Sequence, residues 1–267
     1  MKKTVVRIVA LDLIFLLLLM ASGALSGVIS EIVYLTAFLL PLALFPWLSR
    51  GEARSKLSFG VSRSDAVALL PLVAPIIAVT VGLSALTSLL ASTIGIDGVE
   101  MLSGSVFELI ILHALLPAIL EEALFRYIPL TLISPHSRRS AIVISSLLFA
   151  VAHCNILQIP YAFVAGLAFA VVDLYCGSIL PSVVLHLLNN LASVFWLWEG
   201  SAEAFRLPFI VSIVALSVIS IVLVTIFRAR YAKKASFLLD KSDKINIPPQ
   251  AFVFVLVCIL LAVGALM

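Results

Sequence analysis

Three short patterns in this chain combine residue types that can move protons and hold negative charge. The first is Glu121-Glu122-x-x-x-Arg126, embedded in the apolar run Leu116-Pro117-Ala118-Ile119-Leu120 and Ala123-Leu124-Phe125. Successive helical residues point about 100° apart, so Glu122 and Arg126 share a face and can pair, while Glu121 faces elsewhere. Pairing offsets the Glu122 carboxylate and leaves Glu121 without a local cation, available as a general base. The second and third patterns are Phe149-x-x-x-His153 and His186-x-x-x-Asn190, each on one face of a helix. An imidazole can share proton transfer with a carboxylate, and His and Asn side chains can donate to developing negative charge. Taken singly, these residues could equally be a buried ion pair and hydrogen-bonded packing residues.

The segments that must position them are membrane helices. Hydrophobic residues make up 63% of 267 positions and charged residues 12%, with a mean hydropathy of +1.24, far too apolar for a water-soluble domain. Backbone polar groups in hydrocarbon must be satisfied internally, and the apolar runs have helix-spanning length rather than strand alternation. The fold class is therefore all-α: one polytopic membrane-embedded domain over 1–267, with eight or nine transmembrane helices. The runs cover 7–28, 32–48, 67–90, 106–133, 140–155, 157–175, 178–198, 207–227 and 251–267. The motif-bearing core is about 106–190. The run 140–155 is short, so it is expected to be shielded by protein or to end inside the bilayer. The first run starts with Lys2, Lys3 and Arg7 like a signal peptide, but its length and Asp12 favour an uncleaved span.

Loop charge sets the orientation, because cytoplasmic loops accumulate Lys and Arg. Lys2 and Lys3; Arg50, Arg54, Lys56 and Arg63; Arg138 and Arg139; and the basic stretch from Arg228 to Lys244 fall on one side. Glu31, Asp97, Glu100, Glu199 and Glu203 fall on the other, with Arg206. The N-terminus is then cytoplasmic, and 229–250 is a basic cytoplasmic connector expected to lie on the anionic leaflet. The expected location is a prokaryotic cell membrane. Trp47, Trp196 and Trp198 fall near span ends, as interfacial anchors do. At about 1.5 Å per residue, Glu121, His153, His186 and Asn190 lie roughly 18, 20, 12 and 18 Å from the cytoplasmic face. All four share one layer.

In order and spacing, Glu121-Glu122-x-x-x-Arg126, Phe149-x-x-x-His153 and His186-x-x-x-Asn190 resemble the motifs of the CAAX prenyl endopeptidase and bacteriocin-processing membrane proteins, which include the Ras-converting endopeptidases. The run from Gly166 to Pro181, with Tyr175-Cys176-Gly177-Ser178, is similar to that family's link between its last two motifs. The resemblance implies a glutamate-dependent intramembrane endopeptidase in which Glu121 and His153 activate water. It also implies that His186 and Asn190 hold the oxyanion, that Glu122 and Arg126 support the glutamate helix or contact substrate, and that Phe149 belongs to the site. Implied substrates are peptides or lipidated proteins, entering from the cytoplasm or laterally from the bilayer, with no cofactor and no metal. Asp173 departs from the pattern and is expected to snorkel towards the cytoplasmic turn.

Other chemistries compete. Glu121, His153 and His186 could be zinc ligands, although no H-E-x-x-H motif is present and the ligands would come from separate helices. Cys154 has only His153 as an adjacent cation, and Cys176 has none, which weakens a cysteine nucleophile. The three cysteines, Cys258 included, are odd in number and are expected to be free. A non-proteolytic scaffold or immunity-type protein would keep the fold without the chemistry. A transporter would show interrupted helices in two repeats, which the sequence lacks. Nucleic acid is not an expected partner, since no nucleic-acid signature is present. Asp12, Glu108 and His113 are expected at interfacial or packing positions, and His136 in a solvated loop.

Overall fold

In the computed structural model the described residues are all but 94, 96–101, 199–202, 227, 235, 237–239, 241 and 265–267. Asp97, Glu100, Glu199 and Lys241, which entered the orientation argument, lie outside them. The described residues form helices and no strands, with two isolated bridges, Ser58 to Ser178 and Leu102 to Trp198. In chain order the helices are α1 (Lys2–Gly23), α2 (Gly27–Leu48), α3 (Arg63–Thr93), α4 (106–133), α5 (Arg138–Ala152), α6 (Ile159–Cys176), α7 (Leu180–Leu197), α8 (Glu203–Ile226), α9 (Arg228–Lys234) and α10 (Pro249–Gly264).

Among the described residues six uninterrupted α-helices are long and apolar enough to cross a bilayer: α1, α2, α3, α6, α7 and, over Leu207–Ile226, α8. The first two runs divide earlier than expected, because Gly27, at φ +62°, opens α2 directly after the turn that ends α1. α5 has 15 residues, of which 11 are buried, so protein shields this short helix rather than lipid. α10 is a shorter apolar helix that packs on α1 and α5.

α4 is helical throughout but changes its hydrogen-bond pattern twice. Residues Ile110–Leu115 and Ala123–Tyr127 are π-helical, separated by Leu116–Glu122. Each π turn ends shortly before a proline, Pro117 and Pro129. A proline has no N–H to give the carbonyl four residues back, here His113 and Phe125, and the chain widens locally to accommodate this. The Phe125 carbonyl is not left empty: Arg126 Nη1 donates to it at 3.1 Å.

One core cluster joins α1, α2, α4, α5, α6 and α10 through Ile8, Phe15, Phe38, Phe125, Leu148 and Phe254. A second joins α3, α6 and α7 through Leu69, Ala165, Phe169, Val172 and Leu185. The connecting segments meet at one end of the bundle. Ser55 N–H donates to the Thr131 carbonyl (2.8 Å), Ser58 N–H to the Gly177 carbonyl (2.9 Å), and Arg7 pairs with Glu52. At the same end, Asp243 accepts from the Arg138 and Arg139 amides at 3.0 and 3.1 Å, neutralising the N-terminus of α5. The connector after α9 is thus docked on protein at Asp243, rather than lying wholly on a lipid surface.

Candidate active site

α4 supplies three side chains, Glu121 and Glu122 from the end of its central α-helical stretch and Arg126 from the π turn that follows. Glu122 and Arg126 are both fully buried, with Arg126 Nε 3.6 Å from Glu122 Oε2. A charge-bearing pair in this setting has to be held by other groups as well. Arg126 Nη1 also donates to the Ser145 carbonyl at 3.2 Å, and its guanidinium lies 4.2 Å from the Phe149 ring centroid. Gly166 of α6 makes room for it: a Cβ there would stand 2.9 Å from Arg126 Nη2 and 3.0 Å from Ser146 Cβ.

Glu122 faces α7. His186 Nδ1–H donates to Glu122 Oε1 at 2.9 Å, since a carboxylate can only accept. The imidazole is clamped between rings, stacked on Phe169 (5.5 Å, 30°) and edge-on to Phe149 (5.5 Å, 86°). His186 Nε2 therefore points away from Glu122 and lies 3.9 Å from Glu121 Oε2.

His153 follows the last residue of α5, where backbone carbonyls lack helical partners. Its Nδ1–H donates to the Phe149 carbonyl at 3.0 Å, and its ring stands perpendicular to Phe149 at 5.0 Å. In the neutral ring this leaves Nε2 as an acceptor, 3.9 Å from Glu121 Oε2. Cys154, next in the chain, adopts φ +47° and ends the helix. Both 3.9 Å separations are too long for direct hydrogen bonds and suit a water bonded to all three groups.

The structure thus brings together Glu121, Glu122, Arg126, Phe149, His153 and His186. Asn190 sits one turn beyond His186 on the same helix, half-buried, with no hydrogen bond to these groups among the described residues. The neighbouring Asn189 is engaged elsewhere, its Oδ1 accepting from Thr80 Oγ1 at 2.6 Å. Among the described residues no three His, Cys, Asp or Glu side chains are grouped as metal ligands.

Asp173 corrects its expected position. It is fully buried, not snorkelling, and its Oδ1 accepts from the Ser182 amide at 3.0 Å. Gly177, at φ +64°, turns the chain so tightly that the first turn of α7 comes back onto the aspartate. Asp12 is also fully buried, with neither oxygen hydrogen-bonded among the described residues. His113 and Glu108 are exposed on α4, and His136 is exposed in a turn.

Every residue of this cluster lies within one segment that a family description covers. Residues 103–192 match the Rce1-like type II CAAX prenyl endopeptidase family model. The matched segment runs from just before α4 into α7, about a third of the chain, and so carries all three motifs and the resemblance drawn from them. Nothing among curated proteins or solved structures matches the chain. With six bilayer-length apolar helices among the described residues, the Rce1-like match makes the chain an integral membrane protein and points to an intramembrane protease.

Proposed function

We propose that this protein is an intramembrane endopeptidase in which Glu121 and His153 activate a water for attack on a peptide carbonyl. The observation that carries this reading is the position of Glu121 Oε2, 3.9 Å from Nε2 of both His153 and His186. A water in that space donates one proton to Glu121 and the other to His153 Nε2, with a lone pair left for the carbonyl carbon. Glu121 takes the proton as the carbon–oxygen bond forms, and passes it to the leaving amine as the tetrahedral intermediate collapses.

His186 meets the developing oxyanion. Its Nδ1–H is committed to Glu122, which fixes the ring so that Nε2 faces the reacting carbonyl. Asn190, on the same helix, supplies the second donor once substrate fills the cleft. Arg126 holds Glu122 in place, and Phe149 packs both imidazoles and the guanidinium against one ring.

Eight or nine helices cross the membrane in this reading, with the N-terminus, the 52–58 loop and the docked connector on the cytoplasmic side. The grouping of those basic segments at one end of the bundle supports it. The substrate class is a peptide or a C-terminally prenylated protein of the CAAX type, entering from the cytoplasm or from the bilayer.

The test follows cleavage of quenched C-terminal peptides, with and without a farnesyl cysteine, by full-length protein in detergent. Glu121→Gln is expected to lower kcat by about 10²- to 10⁴-fold while leaving thermal unfolding unchanged. Cleavage must also survive a metal chelator; sensitivity would turn Glu121, His153 and His186 into metal ligands. Full activity in Glu121→Gln, or no cleavage of any peptide by folded wild type, would leave a membrane scaffold as the better account.

A further inference from the structure

Asp173 sits on the far side of α6 from the lipid, in none of the three motifs, yet it reaches the same buried network. It is fully buried on α6, one turn before Gly177, and its Oδ1 takes the Ser182 amide proton at 3.0 Å. That amide belongs to the first turn of α7, whose N–H groups have no helical partner. Ser182 lies one helical turn before His186. Its hydroxyl donates to the Ile179 carbonyl at 2.9 Å, closing the first turn of α7. Asp173 Oδ2, Glu122 Oε2 and Arg126 Nη2 are all buried without hydrogen bonds among the described residues, so three polar atoms around this network retain unfilled capacity.

We infer that Asp173 is a positioning residue: by holding the start of α7 through Ser182, it fixes the Glu122 carboxylate against His186 Nδ1 and so aims His186 Nε2 at Glu121. The chain of contacts is short. Asp173 takes the Ser182 amide, Ser182 stands one turn before His186 on α7, Glu122 takes the His186 Nδ1 proton, and His186 Nε2 faces Glu121. Without the Asp173 acceptor the first turn of α7 is free to shift, and the orientation of His186 then rests on ring packing and on a Glu122 contact that must follow the shifted helix. The functional consequence rests on the proteolytic reading above; the geometric one does not.

Two measurements on the full-length protein separate them. The chain has four histidines, so ¹⁵N-histidine labelling gives few signals, and the one missing in His186→Gln is His186. Wild type and Asp173→Asn, whose amide oxygen can still accept from Ser182, should show one defined His186 ring with a protonated Nδ1. Asp173→Ala should show averaged tautomers. In the peptide assay Asp173→Ala should lose kcat by about tenfold to a hundredfold with KM nearly constant, as a small misplacement of a reacting group does. Asp173→Asn should restore kcat to within about threefold of wild type, and so should Ser182→Ala, which keeps the backbone amide; Ser182→Pro, in a first helical turn that tolerates proline, removes that donor and should resemble Asp173→Ala. The Asp173→Ala/Ser182→Pro double variant should be no worse than either alone, since both remove one hydrogen bond.

An unchanged His186 signal in Asp173→Ala overturns the inference, as do multiplying losses in the double variant or an Asp173→Asn as impaired as the alanine. Should Asp173→Ala not fold, Ser182→Pro with a wild-type His186 signal overturns it equally. Wild type that cleaves nothing removes the proteolytic reading, and the ¹⁵N signals alone then decide whether Asp173 orients His186.

Discussion

α4 to α7 and the pair α3 and α8 are both built from apolar runs, yet what they bury is very different. Between α4, α5, α6 and α7 lie two carboxylates, a guanidinium and an imidazole: Glu122, Asp173, Arg126 and His186. α3 packs on α8, and the buried residues of α3 are Ala68, Leu69, Thr80 and Ala91. Along α8, Val211, Val214, Leu216, Val218, Ile219, Ile221 and Val222 are all exposed. In a bilayer those exposed side chains already stand in an environment as apolar as a protein core, so hydrophobicity alone drives little packing. What marks one region as the working half is therefore not how apolar it is, but which polar groups it spends packing on.

The largest effect should come from breaking the buried pair. Arg126→Ala leaves Glu122 in a closed space with only His186 as a partner, and removing one member of a buried pair costs about 3 to 5 kcal/mol. Unfolding in mixed detergent micelles by a denaturing detergent would measure this. Replacing both Glu122 and Arg126 by leucine should be milder than Arg126→Ala alone, because no unpaired charge remains. An Arg126→Ala protein as stable as wild type would erase the contrast between the two regions.

A sharper version uses one substitution in both. A Cβ at Gly166 would meet Arg126 Nη2 at 2.9 Å, Ser146 Cβ at 3.0 Å and the Ser146 backbone at 3.1 Å. The backbone contact cannot swing away, so α5 and α6 must separate, and Gly166→Ala should cost about 1 to 3 kcal/mol as overpacking does. It should also lower activity, since α5 carries His153. At Gly82 of α3 a Cβ meets nothing within 4 Å. Gly82→Ala should be neutral or stabilising by about 0.4 to 1 kcal/mol through the unfolded chain. Equal effects at the two glycines would mean that α5 and α6 are not tightly locked.

Much of this contrast could be read from residue types. Glu121, Glu122, Arg126, His153 and His186 were legible because a charged or imidazole side chain in an apolar run has few innocent explanations, and helix spacing placed them in one layer. The π turns were hinted at only by Pro117 and Pro129, because a proline announces a lost hydrogen bond but not whether the helix kinks or widens. Asp173 was misread since its partner, the Ser182 amide, lies across the Gly177 turn; a backbone donor leaves no trace in composition. The docking of Asp243 on α5 was hidden for the same reason. Asn190 shows the opposite limit, because sharing a face with His186 did not bring it into contact with the other groups.

The smallest effect belongs to the lipid-facing side of α8. Leu216 is exposed there, and in lipid or detergent a leucine side chain has nearly the same surroundings whether or not α8 is packed on α3. Leu216→Ala should change stability by less than about 0.5 kcal/mol, as surface substitutions generally do. Leu148→Ala, in the buried face of α5, should instead cost about 2 to 5 kcal/mol through the cavity it leaves. The same denaturing-detergent titration reads both. A large loss at Leu216 would mean that something covers α8 in the folded protein, a second copy being the simplest candidate, and cross-linking yields that fall with Leu216→Ala would identify it. A negligible loss leaves α8 as a helix whose outer face meets only acyl chains, and confines the energetic specificity of the fold to the helices around Glu122.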